Sequence, residues 1–263
     1  MNADDFSRLL QAHRSIRQYR ADPVPPELLQ RVLQEAQHGA SSSGNLNMVS
    51  VITTQDPPRK ARLCELHFKQ PMVNQAPLVL TFCADTHRTR TWLAQRGARL
   101  NFDNLLAYHV AAFDAIILAQ TAALALQSHG LGICYMGTTL HSMRELADFL
   151  ECPANVLPVT SIVVGWPAEA PAQRDRLPPA AWVHAERYQP PTPTDIDIHF
   201  AAREVNGWHR YRSMGPEMTE KMDALGITSL AQYYTSDIKY APQTFQRDSQ
   251  ALRALLEERG FLP

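Results

Sequence analysis

Two arginines three residues apart, in His13-Arg14-Ser15-Ile16-Arg17, are the most chemically pointed residues of this 263-residue chain. A guanidinium keeps its charge in any surroundings, and its planar fork of donors can grip phosphate or carboxylate through two bonds at once. Ser15 adds a hydroxyl between the two, so the pentad has the makings of an anion site. Taken alone, it reads more readily as a solvated basic helix end, which the helix dipole favours. A second cationic pair, Arg174 and Arg176, follows Gly165-Trp166-Pro167 on a proline-bounded stretch. Rigid loops at strand ends often carry ligand clamps, although this one alone also reads as ordinary exposed charge.

Other chemistries fail on spacing. Gly130-Leu-Gly132 with Gly137 mimics a dinucleotide fingerprint, but the third glycine is misplaced and the run follows a helix instead of a strand. There is no Walker loop, no His-Glu-x-x-His and no Gly-x-Ser-x-Gly, and Ser236-Asp-Ile-Lys239 lacks the companion motifs that would give it meaning. The 10 histidines show no metal-ligand spacing, so no metal site is expected. A net charge of -1 argues against a nucleic-acid partner, which calls for a clustered basic face.

The elements that must position these residues are legible from periodicity. With 45% hydrophobic and 19% charged residues the chain can bury a large core, and 11 glycines exclude collagen-like architectures. Phe6, Leu9, Leu10 and His13 mark a first helix, with Asp4 and Asp5 suiting its first turn. Pro25-Pro26 opens a second, carrying a Leu28, Leu29, Val32, Leu33, Ala36 stripe that Gly39 closes. Ser41-Ser-Ser-Gly-Asn45 is a polar loop, and residues 48–54, 78–83 and 159–164 read as buried strands. Residues 104–129 read as one long helix, apolar on nearly all sides, which belongs inside a protein or at a large interface. Its core, residues 110–126, is interrupted by Asp114, Gln120 and Thr121 and reads as too polar and too short to span a bilayer. Residues 142–150 form a further short helix, and His87, Arg88, Arg90, Arg96 and Arg99 a solvated helix face. Prolines at 171, 178, 179, 190, 191 and 193 make an extended connector to helical patterns beyond residue 195. Cys64, Cys83, Cys134 and Cys152 form no Cys-x-x-Cys pair, and the start of the chain is acidic and unlike a secretory signal. A soluble protein of a reducing compartment, the cytoplasm, is expected, with no membrane partner.

In order along the chain, these pieces resemble the FMN-dependent nitroreductase family. The matching residues are His13-Arg14-Ser15-Ile16-Arg17 with Tyr19, Ser41-Ser-Ser-Gly-Asn45, and Lys69-Gln70 with Gln75-Ala76-Pro77 before Phe82-Cys83-Ala84-Asp85. Gly130-Leu-Gly132 through Tyr135-Met136-Gly137 follows, then Gly165-Trp166-Pro167 with Arg174 and Arg176. The branch it is most similar to is that of oxygen-insensitive NAD(P)H nitroreductases and flavin reductases. The resemblance implies that His13, Arg14 and Ser15, with Arg174 and Arg176, hold the FMN phosphate. Arg17 falls beside flavin N1 and O2, where a fixed cation favours the reduced, negatively charged ring. Gln70 falls at the pyrimidine edge, and Tyr135, Met136, Gly137 and Thr138 line the isoalloxazine. Ser41, Ser43 and Asn45 match a loop contributed by the other subunit, which makes the site that of a homodimer.

The expected architecture is therefore α+β: a mixed β-sheet flanked by helices, a long central helix and a C-terminal extension, in an intertwined homodimer. The boundaries are residues 1–190 for the FMN-binding domain and 191–263 for the extension. The expected reaction is ping-pong, with hydride passing from NAD(P)H to FMN and then to a small-molecule electron acceptor such as a nitroaromatic, a quinone or free flavin. Residues 195–230 match the branch poorly, and residues 233–247 carry only Lys239 and Arg247 as cations beside Asp237. Two other classes fit the same residues: a relative acting on one specific metabolite, and a flavin-binding sensor without turnover.

Overall fold

Short-range capping sets the boundaries of most helices. The computed structural model describes residues 2–263. Asn2 and Asp5 exchange side-chain and main-chain bonds in a capping box that opens α1 (Ala3–Gln11). Prolines, whose missing N–H costs nothing in a first turn, open α2 (Pro26–Ala36). After β1 (Val49–Thr54) they open α3 (Pro57–Leu66) and α4 (Pro71–Gln75) in the same way. β2 (Leu78–Asp85), α5 (His87–Gln95) and α6 (Leu105–Ser128) follow, then β3 (Gly132–Met136), α7 (Met143–Phe149) and β4 (Val156–Gly165). Asn104 caps α6 by accepting the Ala107 N–H.

The sheet order is β1-β2-β4-β3, and all three pairings are antiparallel. The α+β class holds, but the expected mixed sheet is an antiparallel one. Its two faces bury separate cores. Leu80, Phe82, Ile133 and Ile162 face α6, while Val79, Val163, Cys134 and Met136 face α3 and α4. Burial on both faces explains why every residue of β2 and β4 is enclosed. β1 lies at the sheet's edge, so the strand expected to be buried is half-buried. All four cysteines are free and buried.

α6 crosses the sheet on small side chains. Ala111, Ala115, Ala119 and Ala122 are fully buried at helical spacing, which lets the helix axis approach the strands closely. At 24 residues α6 is long and apolar enough to cross a membrane, contrary to the expectation from residues 110–126. Its alanine face lies in the protein core.

The chain forms two compact units, one up to Ala172 with Ala251–Pro263, the other Gln173–Gln250. These divisions fall at 172/173 and 250/251, whereas the sequence places its boundary at 190/191. The second unit holds α8 (Pro193–Arg212), α9 (Pro216–Ala224) and α10 (Leu230–Tyr234) around Tyr211, Met222, Leu230 and Tyr233. α11 (Pro242–Glu258) runs from the second unit into the first. There Phe261 is fully buried against Tyr108, at 5.3 Å between ring centroids.

Two strand glycines set how closely neighbouring chain can approach. A Cβ on Gly165 would lie 2.5 Å from Pro77 Cδ and 2.9 Å from Tyr19 Cδ1. Alanine ordinarily gains up to ~1 kcal/mol over glycine by restricting the unfolded chain, but overpacking costs typically ~1–3 kcal/mol and dominates here. Gly165→Ala is therefore expected to lower the denaturant midpoint with no change of slope, and an unchanged or raised midpoint contradicts this packing.

Candidate functional site

The Arg14–Arg17 element is not a helix end, because α1 stops at Gln11 and residues 13–18 belong to no helix or strand. Ile16, buried between the two arginines, docks that chain. Its side chain enters the core of Cys134, Met136 and Val163, and its N–H donates to the Ile133 carbonyl at 2.9 Å. The docking continues with Tyr19 bridged to Pro167, Arg20 N–H donating to Trp166 O, and Ala168 N–H donating to Gln18 O. The Tyr19 hydroxyl donates to the Ile16 carbonyl at 2.6 Å, and burial pushes its phenol far above the usual tyrosine range. Gly132 makes the fit possible, since a Cβ there would lie 2.8 Å from Ile16 Cγ1.

With Ile16 fixed inward, Arg14, Ser15 and Arg17 stand at the margin of the sheet. The Arg14 guanidinium donates to the Ala12 and Pro171 carbonyls, and that of Arg17 to the Ser15 carbonyl at 3.4 Å. Neither has a carboxylate within ion-pair distance among the described residues. Glu169, the nearest acid by hydrogen bonding, accepts the main-chain N–H groups of Arg17 and Gln18 instead. His13 Nδ1 lies 3.2 Å from Gln127 Oε1 on the last turn of α6.

Two further segments converge on the same end of the sheet. Along β3 the side chains alternate, so Tyr135 reaches α6 while Met136 is fully enclosed in the opposite core. The Tyr135 hydroxyl donates to Gln120 Oε1 at 3.2 Å, and burial pushes its pKa up to about 12. Met136 can thus offer a ligand only its main chain. Gly137 and Thr138 begin the 3₁₀ turn Gly137–His141. Phe68 and Lys69, with φ of 56° and 57°, turn the chain out of α3 and deliver Gln70 to the start of α4. Two side chains clamp that turn to the strand end: Ser142 Oγ donates to the Leu66 carbonyl at 2.7 Å, and His67 Nδ1 lies 2.8 Å from Thr138 Oγ1. Burial pushes the His67 ring down to about 4, so it is neutral near pH 7.

The structure therefore brings together residues 13–17, 66–70 and 132–138. Ser41, Ser43 and Asn45 lie elsewhere. Their loop is anchored by Asp114, whose carboxylate accepts the Ser42 N–H at 2.7 Å and the Met48 N–H at 2.8 Å. Ser42 Oγ also donates to the Val110 carbonyl, and Arg88 donates to the carbonyls of Asn47 and Val49. Asp114 and Gln127 are thirteen residues apart on α6, or about 20 Å along its axis. Arg174 and Arg176 belong to the second unit, where both are exposed and Arg176 donates to the carbonyls of Arg174 and Asp175.

Sequence reasoning missed Asp114, His67 and Glu169 as organisers of these loops. Asp114 had a signal, a single acid inside an otherwise apolar helix, which reads as a mere break in hydropathy. Arg88, expected on a solvated face, is a loop anchor. Asp114→Ala leaves two main-chain donors unmatched and is expected to cost about 2–4 kcal/mol. Hydrogen exchange checks this directly: the Ser42 and Met48 amides lose protection first, and protection unchanged at both contradicts the anchor.

The Nitroreductase family profile matches residues 10–166. The FMN reductase [NAD(P)H] of Bacillus subtilis is 35% identical over 260 residues, 98% of each chain. The oxygen-insensitive NADPH nitroreductase of Salmonella typhimurium is 33% identical over 182 residues, covering 69% of this chain and 74% of that one. Among solved structures, B. megaterium NfrA2 superposes with a TM-score of 0.79 at 33% identity, covering 100% of this chain and 99% of that one. On the matched profile, the near full-length identity and the docked Arg14–Arg17 element, this chain belongs to the nitroreductase family.

Proposed function

We propose that this protein is an FMN-dependent NAD(P)H oxidoreductase that works as a cytoplasmic homodimer and reduces nitroaromatics, quinones or free flavin. The carrying observation is the Arg14–Ser15–Arg17 element, two guanidiniums without carboxylate partners held beside the end of β3. Positive charge with no counter-charge in the protein is available to an anionic ligand. The relatives named FMN reductase and NADPH nitroreductase support the same reading.

The donor set fits FMN at both of the ligand's ends. His13, Arg14 and Ser15 suit its phosphate, joined in this reading by Arg174 and Arg176. Arg17 supplies the cation for the pyrimidine edge, where Gln70 adds an amide, and the Tyr135, Met136, Gly137 and Thr138 stretch lines the ring. When bound, FMN supplies the two-electron carrier between nicotinamide and acceptor, chemistry that no side chain of this chain can provide. The protein's own part is to orient and polarise. It needs no general acid or base, and the same open face can receive nucleotide and acceptor in turn.

The dimer enters through the Ser41–Asn45 loop. Its anchor lies about 20 Å along α6 from the His13 end, so in this reading Ser41, Ser43 and Asn45 complete the site of the partner subunit. Uncovered apolar side chains support the pairing: Leu106 on α6 is 74% exposed and Phe113 59%, and Phe6 and Leu10 leave α1 with an unpaired apolar face. Four free cysteines suit the reducing cytoplasm.

Initial rates with NADH and with NADPH, each against FMN or nitrofurazone, test the activity. Parallel double-reciprocal lines for at least one nucleotide are expected, and no acceptor-dependent oxidation of either contradicts the proposal. Arg17→Ala is expected to make the potential of the bound flavin more negative by roughly 30 mV, equivalent to about 1.4 kcal/mol for a two-electron couple. Spectroelectrochemical titration reads this shift, and an unchanged potential removes Arg17 from the ring.

A further inference from the structure

We infer that His67 is a positioning residue that sets the hydrogen-bonding direction of Thr138, making the Thr138 hydroxyl a donor to the ligand held along residues 135–138. The inference rests on the flavin reading above and extends it to a side chain outside the expected site.

His67 has no exposed surface, yet its Nε2 finds no partner among the described residues. Its Nδ1 lies 2.8 Å from Thr138 Oγ1, which has no other side-chain hydrogen bond. A neutral imidazole carries one proton, on either nitrogen. Placed on Nε2, it would be a buried N–H without an acceptor, the arrangement folded proteins avoid most strongly. Placed on Nδ1, it is used, and only an acceptor nitrogen is left bare. Protonating both nitrogens would bury a charge and still strand the Nε2 proton, in line with burial driving the ring toward its neutral form.

The donor in this pair is therefore Nδ1–H, and Thr138 Oγ1 accepts. That leaves the threonine proton without an acceptor among the described residues. Thr138 is only half-buried and follows exposed Gly137, so its proton is free for a ligand on the outer side of the turn. Were His67 the acceptor instead, the Thr138 proton would be used inside the protein and only lone pairs would remain for a ligand. The buried ring thus decides whether Thr138 has a proton to donate. The Ser142–Leu66 bond fixes the same two segments without involving the imidazole, so the turn keeps a second clamp when the ring is replaced.

The test uses reconstituted FMN-loaded enzyme, with fluorescence titration for affinity and spectroelectrochemistry for potential. Thr138→Val keeps the side-chain shape and removes the hydroxyl. It is expected to weaken FMN binding roughly 3- to 10-fold, the worth of one neutral hydrogen bond, and to shift the potential. His67→Leu is expected to do the same, and the double variant to lose no more than either single one. His67→Asn, which can place an amide N–H where Nδ1–H stands, is expected to recover affinity and potential. If His67→Leu lowers only the melting temperature, the inference is overturned. If it fails to fold, Thr138→Val decides alone: affinity and potential like the wild type overturn the role. Wild-type protein that binds no FMN overturns the flavin reading and this inference together, whereas flavin binding indifferent to both residues overturns only the latter.

Discussion

Ile16 and Tyr19 can seat against β3 and β4 because Gly132 and Gly165 carry no Cβ. That absence of two atoms is the constraint from which the site follows. It lets a non-helical segment dock on the sheet, with Ile16 turned inward and Arg17 left exposed. Arg14 stays half-buried there. The docking also ties the segment to β3, so the Arg14–Arg17 element and residues 135–138 share one scaffold. Elements rigid enough to hold a ligand are more precise than loops alone, and here the loops are pinned to strands.

α6 holds the Ser41–Asn45 loop and the His13 end of the Arg14–Arg17 element at separate points along its length. Its alanine face packs on the sheet, and Asp114, one of its few polar residues, gathers the Ser41–Asn45 loop near its middle. A buried carboxylate is tolerated there because two main-chain donors satisfy it. The distance to the His13 end, with the exposed leucine and phenylalanine side chains, is what the proposed dimer accounts for. The apolar excess of the composition is thus divided between two cores and an uncovered helix surface.

Much of this was legible in the sequence where local physics decides. Asn104 and His129 bound the long helix as expected, and the proline-opened α2 and the strands at 78 and 159 fall where periodicity puts them, to within a few residues. What stayed hidden depends on distant partners. No strand is expected at β3, because Gly-Ile-Cys-Tyr-Met is short and its pairing with β4 is invisible along the chain. The antiparallel order of the sheet and the return of residues 251–263 to the first unit are likewise tertiary facts. The candidate site residues were readable through a family pattern, but their supports were not. Nothing about His67 or Asp114 in isolation says which loop each will hold.

The central claim is that each cofactor site is built by two chains, and native mass spectrometry in the presence of FMN tests it most directly. The account predicts one dominant species of two chains with two FMN molecules. A flavin-free dimer, or a monomer that carries FMN by itself, would contradict it.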